Sequence, residues 1–120
     1  MAEKKQSFNN LLVWQKSVEL SKEIYLVTRS FPKEEVFGIT NQLRRCSVSI
    51  ASNIAEGAAR YSKPEFKYFL SIAIGSSAEL KTQLLIAKEV DILSIPNYEN
   101  LMTKIEEVSK MLISLRKKLN

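Results

Sequence analysis

Apolar residues recur at steps of three and four along four stretches of the chain, which is the spacing of the buried face of an α-helix. The clearest repeat runs over three heptads near the C-terminus: Tyr98, Leu101, Ile105, Val108, Leu112, Leu115 and Leu119. This pattern predicts a long fourth helix that packs against neighbours along its whole length. We expect it to begin near Tyr98, after a connection formed by Ile95, Pro96 and Asn97.

The first half of the chain predicts two more helices. The first covers residues 11–29, with Asn9 or Asn10 as its cap, and has a broad apolar face. That face consists of Val13, Trp14, Val18, Leu20, Ile24, Tyr25 and Val27. The second ends near Ala59 and has an apolar stripe of Leu43, Cys46, Ile50 and Ile54, with Thr40 as a candidate cap and Gly57 at its fraying end. Residues 32–37 predict a connection with one helical turn.

The third predicted helix has the strongest start signal in the chain. Ser62 supplies an N-cap, Pro64 fits the first turn, and Glu65 follows three residues after the cap. Its apolar residues are spread over nearly the whole circumference of the helix, and residues 68–78 contain no charged side chain. This pattern predicts that the helix is buried on most sides. The small residues at 75–78 predict that another helix backbone approaches closely there.

These four helices predict an all-α fold, an antiparallel up-and-down four-helix bundle. We expect residues 1–10 to form a flexible N-terminal arm and residues 11–120 a single domain. The apolar surplus on the first and third helices favours side-by-side association of bundles, since large exposed apolar patches usually mark interfaces. A thicker core within one chain is the alternative.

Composition narrows the functional classes. The chain has 120 residues, a net charge of +5 and no histidine. Cys46 is the single cysteine and lies on an apolar stripe, which favours a buried, reduced thiol. No apolar run approaches the roughly 18 residues of a membrane span, and the N-terminus lacks a signal-peptide core, so we expect a cytoplasmic protein with no membrane contact.

Catalytic signatures are scarce. Without histidine, a cysteine cluster, a glycine-rich phosphate loop or metal-ligand spacing, the sequence predicts no enzyme, no cofactor and no metal site. The serines Ser47, Ser49 and Ser52 have no base to activate them. Glu56 and Glu79 could form a carboxylate pair, but a pairing with Arg45, Arg60 or Lys81 is favoured because buried charges are usually paired.

The second helix also carries a dense polar stripe beside its apolar one. Together with Glu79 it defines what we call the polar seam: Gln42, Arg45, Ser49, Asn53, Glu56 and Glu79. We interpret the polar seam as structural, with Asn53 tying this helix to a neighbouring helix or protomer. Candidates for contacting nucleic-acid phosphates are Arg44, Arg60, Arg116, Lys117 and Lys118. The last three also suit the negative end of a helix dipole without any ligand.

Three segments resemble a known family: LLVWQKSVEL, then IYLVTRSFPKEEVFGITNQLRRCSVSIASNIAEGAAR, then FKYFLSIAIGSSAELKTQL. QLRR, SNIAEG and the G-S-x-x-E-L pattern occur in order, and over residues 8–90 the chain resembles the 23S rRNA intervening-sequence proteins. That family is also similar to the accessory variability determinant of diversity-generating retroelements. Cys46 replaces a common small residue and Ala51 a common proline, which should leave the second helix straighter.

The resemblance implies a ring-like homopentamer with a basic surface, which in the retroelement relatives associates with a reverse transcriptase and binds nucleic acid. The leading hypothesis is therefore an oligomeric scaffold that contacts RNA or DNA through phosphates. A protein-interaction adaptor without nucleic-acid contact is the second hypothesis. A small-molecule enzyme is the third and would need a ligand near Glu56 and Glu79.

Overall fold

The computed structural model describes residues 8–120, and this part of the chain is all-α with four helices and no strand. The helices are α1 (Leu12–Thr28), α2 (Ile39–Ala58), α3 (Lys63–Glu89) and α4 (Ile95–Lys118), with short 3-10 helices at Phe8–Asn10 and Lys33–Glu35. The predicted all-α class and the four helices are confirmed. Most of the predicted N-terminal arm, residues 1–7, lies outside the described residues.

Two helices begin with a serine cap and a proline in the first turn. The Ser62 hydroxyl accepts a hydrogen bond from the Glu65 backbone nitrogen at 3.3 Å, so the predicted start of α3 is confirmed. At α4 the Ser94 hydroxyl accepts from the Asn97 backbone nitrogen at 3.2 Å. The predicted connection at residues 95–97 is therefore wrong, because these residues form the first turn of α4.

The other two helices begin without a side-chain cap. Leu11 occupies the N-cap position of α1 and Gly38 that of α2. The predicted caps at Asn9, Asn10 and Thr40 are therefore wrong. Thr40 lies inside the first turn of α2, and its side chain is buried.

Each helix packs against the next one in sequence, and α1 packs against α4, which closes the bundle. The predicted apolar stripes meet in the middle. Fully buried members are Leu20, Ile24, Leu43, Ile50, Ile54, Leu70, Leu80, Leu84, Leu101, Ile105, Val108 and Leu112. The wider apolar faces stay outside this core, since Val18, Tyr25, Tyr68, Leu85 and Ile86 are 39–62% exposed. A thicker core within one chain is therefore wrong for these side chains.

Gly57, in the last turn of α2, allows α2 to pack closely against α3. A Cβ atom there would lie 2.8 Å from Phe69 Cβ and 3.0 Å from Phe66 Cδ1, both on α3. Gly75 has nothing within 4 Å of the same position. The prediction of a close contact at residues 75–78 holds for the buried Ser76 and Ser77 but is wrong for Gly75.

Candidate nucleic-acid interface

The middle of the polar seam is a hydrogen-bonded contact between α2 and α3. Ser49 Oγ lies 3.0 Å from Ser76 Oγ, and Asn53 Nδ2 donates to the Ser49 carbonyl oxygen at 2.8 Å and to Ser49 Oγ at 3.0 Å. Asn53 therefore bonds within its own helix and reaches α3 only through Ser49. The expectation that Asn53 itself ties α2 to another helix of the same chain is wrong, and a contact to a neighbouring protomer stays a prediction.

One end of the polar seam lines an open cleft of about 470 Å³ between α2 and α3. Gln42, Arg45 and Glu79 face this cleft, and within residues 8–120 Arg45 and Glu79 form no ion pair with each other. Cys46 lies beside them, and its thiol donates to the Ser76 carbonyl oxygen at 3.1 Å. Burial, and secondly the nearby Glu79 carboxylate, raises the pKa of Cys46 to about 12. The predicted burial of the Cys46 thiol is confirmed.

Arg60 and Glu56 form a separate network where α2 ends. The Arg60 guanidinium pairs with Glu56 at 2.8 Å and with Glu65 at 3.2 Å, and it lies 5.0 Å from the centre of the Phe69 ring. The hydrogen bond to Glu56 is the main reason that the pKa of Arg60 is raised. Glu56 is thus paired as expected, and a phosphate at Arg60 would compete with two carboxylates.

A basic surface lies where α3 begins and α4 ends. Arg116 Nη1 donates to Ser71 Oγ at 3.0 Å, and Lys67 Nζ contacts the Asn120 side chain, so the first turns of α3 lie beside the last turns of α4. The cations that share this end, which we call the basic end, are Lys63, Lys67, Arg116, Lys117 and Lys118. Among residues 8–120, none of the five has a carboxylate partner.

Sequence reasoning found three of the five cations of the basic end. Lys63 and Lys67 were missed, although their spacing of four residues places them on one side of α3. The signal that joins them to Arg116 is the order of helices in a bundle, which brings the start of α3 beside the end of α4. No local pattern in either segment contains that information.

Arg44, the remaining candidate, is far from the basic end. It lies fourteen residues before Ala58, the last residue of α2, which is about 21 Å along a helix of 1.5 Å rise per residue. Its Nε donates to Thr28 Oγ1 at 2.9 Å, and its guanidinium carbon lies 4.7 Å from the centre of the Tyr25 ring. The five predicted phosphate contacts therefore do not form one surface.

Other sites are absent from the described part of the chain. Residues 8–120 contain no cluster of three or more side chains able to hold a metal ion. None of the helices in the same range combines the length and the apolar character needed to cross a membrane.

These features define an all-α four-helix-bundle protein with a basic end. The chain belongs to the 23S rRNA-intervening sequence protein family, whose model matches residues 9–114. It is similar to a solved structure from Bacteroides thetaiotaomicron, a protein with unknown function from the S23 ribosomal protein family. That likeness has a TM-score of 0.80 and 27% sequence identity and covers 88% of this chain and 99% of the other. No curated protein is significantly similar to the chain. Neither description names a reaction.

Proposed function

We propose that this protein is a non-enzymatic oligomer that binds RNA or DNA through backbone phosphates at its basic end. The observation that carries the proposal is a set of five cations without a carboxylate partner at the start of α3 and the end of α4, two of which, Lys67 and Arg116, bridge the two helices. Unpaired lysines and an arginine can exchange water and counterions for phosphate oxygens, whereas Arg60 is already neutralised by Glu56 and Glu65.

The geometry favours contacts to phosphates over reading of bases. Lys63, Lys117 and Lys118 are exposed at helix ends, where flexible ammonium groups act as point charges. Each of the four helices packs against two neighbours in the bundle, whereas direct readout needs an element free to enter a groove. We therefore expect affinity to depend steeply on salt and weakly on sequence.

The test is fluorescence anisotropy with a labelled structured RNA and a labelled duplex DNA, titrated at several salt concentrations. Lys117→Gln and Lys118→Gln should each weaken binding and reduce the slope of log K against log salt by about 1. Lys22→Gln, an exposed lysine on α1, is the control with the same charge change. Absence of binding at low salt, or an equal effect of all three substitutions, contradicts the proposal.

The oligomeric part of the proposal is an antiparallel up-and-down bundle assembled into a ring-like homopentamer. Contacts support the helix directions, because Cys46 meets Ser76 while Gly57, later in α2, meets Phe69, earlier in α3. Exposed apolar side chains support association through two different faces, Val18 on α1 and Ile86 on α3. If the α1 face of one protomer packs against the α3 face of the next, the contact is head-to-tail, and head-to-tail contacts generate a ring when the rotation between protomers closes.

Light scattering after size exclusion tests the ring. The expected mass is five times the 13.7 kDa of one chain, and a mass of 13.7 kDa contradicts it. Val18→Glu and Ile86→Glu should each give monomers, since each removes one of the two faces. A mixture of the two variants retains one intact pair of faces and should form a heterodimer, whereas a self-complementary interface through one face would be lost in only one of the two variants.

A second candidate function is a protein-interaction adaptor. It is favoured by Phe37, which is 93% exposed beside the cleft of Arg45 and Glu79. An exposed aromatic next to unpaired charges of both signs suits a polar peptide with an apolar anchor. A pull-down with nuclease treatment separates the two functions, because an adaptor keeps its partner after the nucleic acid is digested.

A further inference from the structure

A second cationic site lies at the start of α2 on the side of α1, and its Arg44 is about 21 Å along the helix from Ala58, the last residue of α2. Here the end of α1, the 3-10 helix Lys33–Glu35 and the start of α2 enclose a cleft of about 430 Å³. Its cations are Arg29, Lys33 and Arg44, and its apolar wall is Phe31, Pro32 and Val36. No acidic residue within residues 8–120 lines it.

Arg44 is held in place before any ligand arrives. Its Nε–H donates to Thr28 Oγ1 at 2.9 Å, and the Thr28 hydroxyl donates onward to the Ile24 carbonyl oxygen at 2.7 Å. The Tyr25 ring supports the guanidinium from one face at 4.7 Å. Neither Nη1 nor Nη2 of Arg44 donates to a protein acceptor within residues 8–120, so their two parallel N–H groups can meet two oxygens of one anion.

Two further features point to a ligand with acceptor oxygens. Thr40 lines the same cleft, and its hydroxyl is buried without a hydrogen-bond partner among the described residues. A buried donor without a partner is unfavourable unless something else supplies an acceptor. Glu35, two residues after Lys33, accepts a hydrogen bond from the backbone nitrogen of Ile39 at 3.5 Å instead of pairing with one of these cations.

We propose that this cleft binds the phosphate group of a small phosphorylated molecule, with the apolar wall packing against the rest of the ligand. A volume of about 430 Å³ lies in the range of small-molecule pockets, and a few placed polar groups in an apolar lining are typical of them. The two free N–H groups of the Arg44 guanidinium bind the phosphate, and Arg29 and Lys33 add positive charge at the edge of the cleft. The site is separate from the basic end and does not depend on nucleic-acid binding.

The experiment is a titration followed by amide chemical shifts in ¹⁵N-labelled full-length protein. The probes are adenosine monophosphate, inorganic phosphate and uncharged adenosine. Saturable shifts confined to residues 28–44 are expected with the monophosphate and not with adenosine. Phosphate binding as tightly as the monophosphate would assign the site to phosphate itself, whereas weaker phosphate binding shows that the apolar wall contributes.

Substitutions make the test decisive. Arg44→Gln should weaken monophosphate binding at least tenfold and Lys33→Gln severalfold, while Lys117→Gln at the basic end leaves it unchanged. The spectra of the free variants report whether each one is folded, and Lys33, exposed at a turn, can be changed if Arg44→Gln unfolds the chain. No saturable shift with either phosphate probe, or equal losses in Lys33→Gln and Lys117→Gln, overturns the proposal. Nucleic-acid binding should weaken in Lys117→Gln and stay unchanged in Arg44→Gln and Lys33→Gln, so either proposal can fail without the other.

Discussion

Replacing Gly57 by alanine tests the packing of α2 on α3 with a single methyl group. The new Cβ would lie 2.8 Å from Phe69 Cβ and 3.0 Å from Phe66 Cδ1, closer than carbon atoms normally approach. Phe69 Cβ is bonded to the α3 backbone and cannot swing away as the tip of a side chain can. The two helices must therefore separate at this point, and the contacts around Phe66 loosen with them.

The magnitude follows from two opposing effects. Overpacking of this kind costs about 1–3 kcal/mol, whereas glycine to alanine in a helix gains at most about 1 kcal/mol, less in the last turn. We expect Gly57→Ala to lower the free energy of unfolding by about 1–2 kcal/mol. With an unfolding entropy of about 0.25 kcal/mol/K for a chain of 120 residues, the Tm should fall by about 4–8 °C.

Gly75→Ala is the matched control, because the same change on α3 meets no atom within 4 Å. Only the helix propensity then changes, and the Tm should rise by about 2–4 °C. Both variants are measured by thermal and urea unfolding at one protein concentration, since association shifts apparent stability. Equal stabilisation by both substitutions would refute the close approach at Gly57.

Three other predictions concern single side chains. Ser62→Ala and Ser94→Ala should each lower the free energy of unfolding in urea by about 1 kcal/mol, because each removes a helix cap. An unchanged stability of Ser94→Ala would argue that α4 starts later. Thr40→Val should be neutral or stabilise by about 1 kcal/mol, since it removes a buried hydroxyl without a partner; a clear loss of stability would show that the hydroxyl is bonded. Cys46 should resist a thiol reagent at pH 8 until the protein is unfolded. Because its folded pKa of about 12 exceeds the ordinary 9.0, stability should fall as pH rises from 9 toward 12, and Cys46→Ala should remove this part of the pH dependence.

Helix starts were predictable where the signals are local. Ser62, Pro64 and Glu65 identified the start of α3 because cap, proline and acid act on the same turn. Ser94 and Pro96 form nearly the same signal at α4, and treating that proline as a break was an error of interpretation, since proline is well tolerated in a first turn. Thr40 failed as a cap because Gly38 begins α2 earlier, which leaves its hydroxyl inside the helix.

The two glycines show how far helical phase could have been used. Gly57 lies three residues after Ile54 and so continues the buried stripe of α2, whereas Gly75 falls outside the stripe of Ala73 and Ser77 on α3. The stripe therefore indicated which glycine faces a neighbour. What it could not give is the identity of that neighbour, Phe69, which depends on how the two helices are aligned along their axes.

Arg44 and Arg45 show why the candidate site could not be read from sequence in the same way. Adjacent residues on a helix project about 100° apart, so one of them was expected to join the polar seam and the other to face outward. Arg45 does line the α2–α3 cleft with Glu79, but Arg44 turns toward α1, where Thr28 and Tyr25 hold it. A residue's partner on another helix decides which anion it can meet. The Arg44 side chain is held against α1, far from the basic end. We therefore expect the substitutions that abolish small-anion binding to differ from those that abolish nucleic-acid binding.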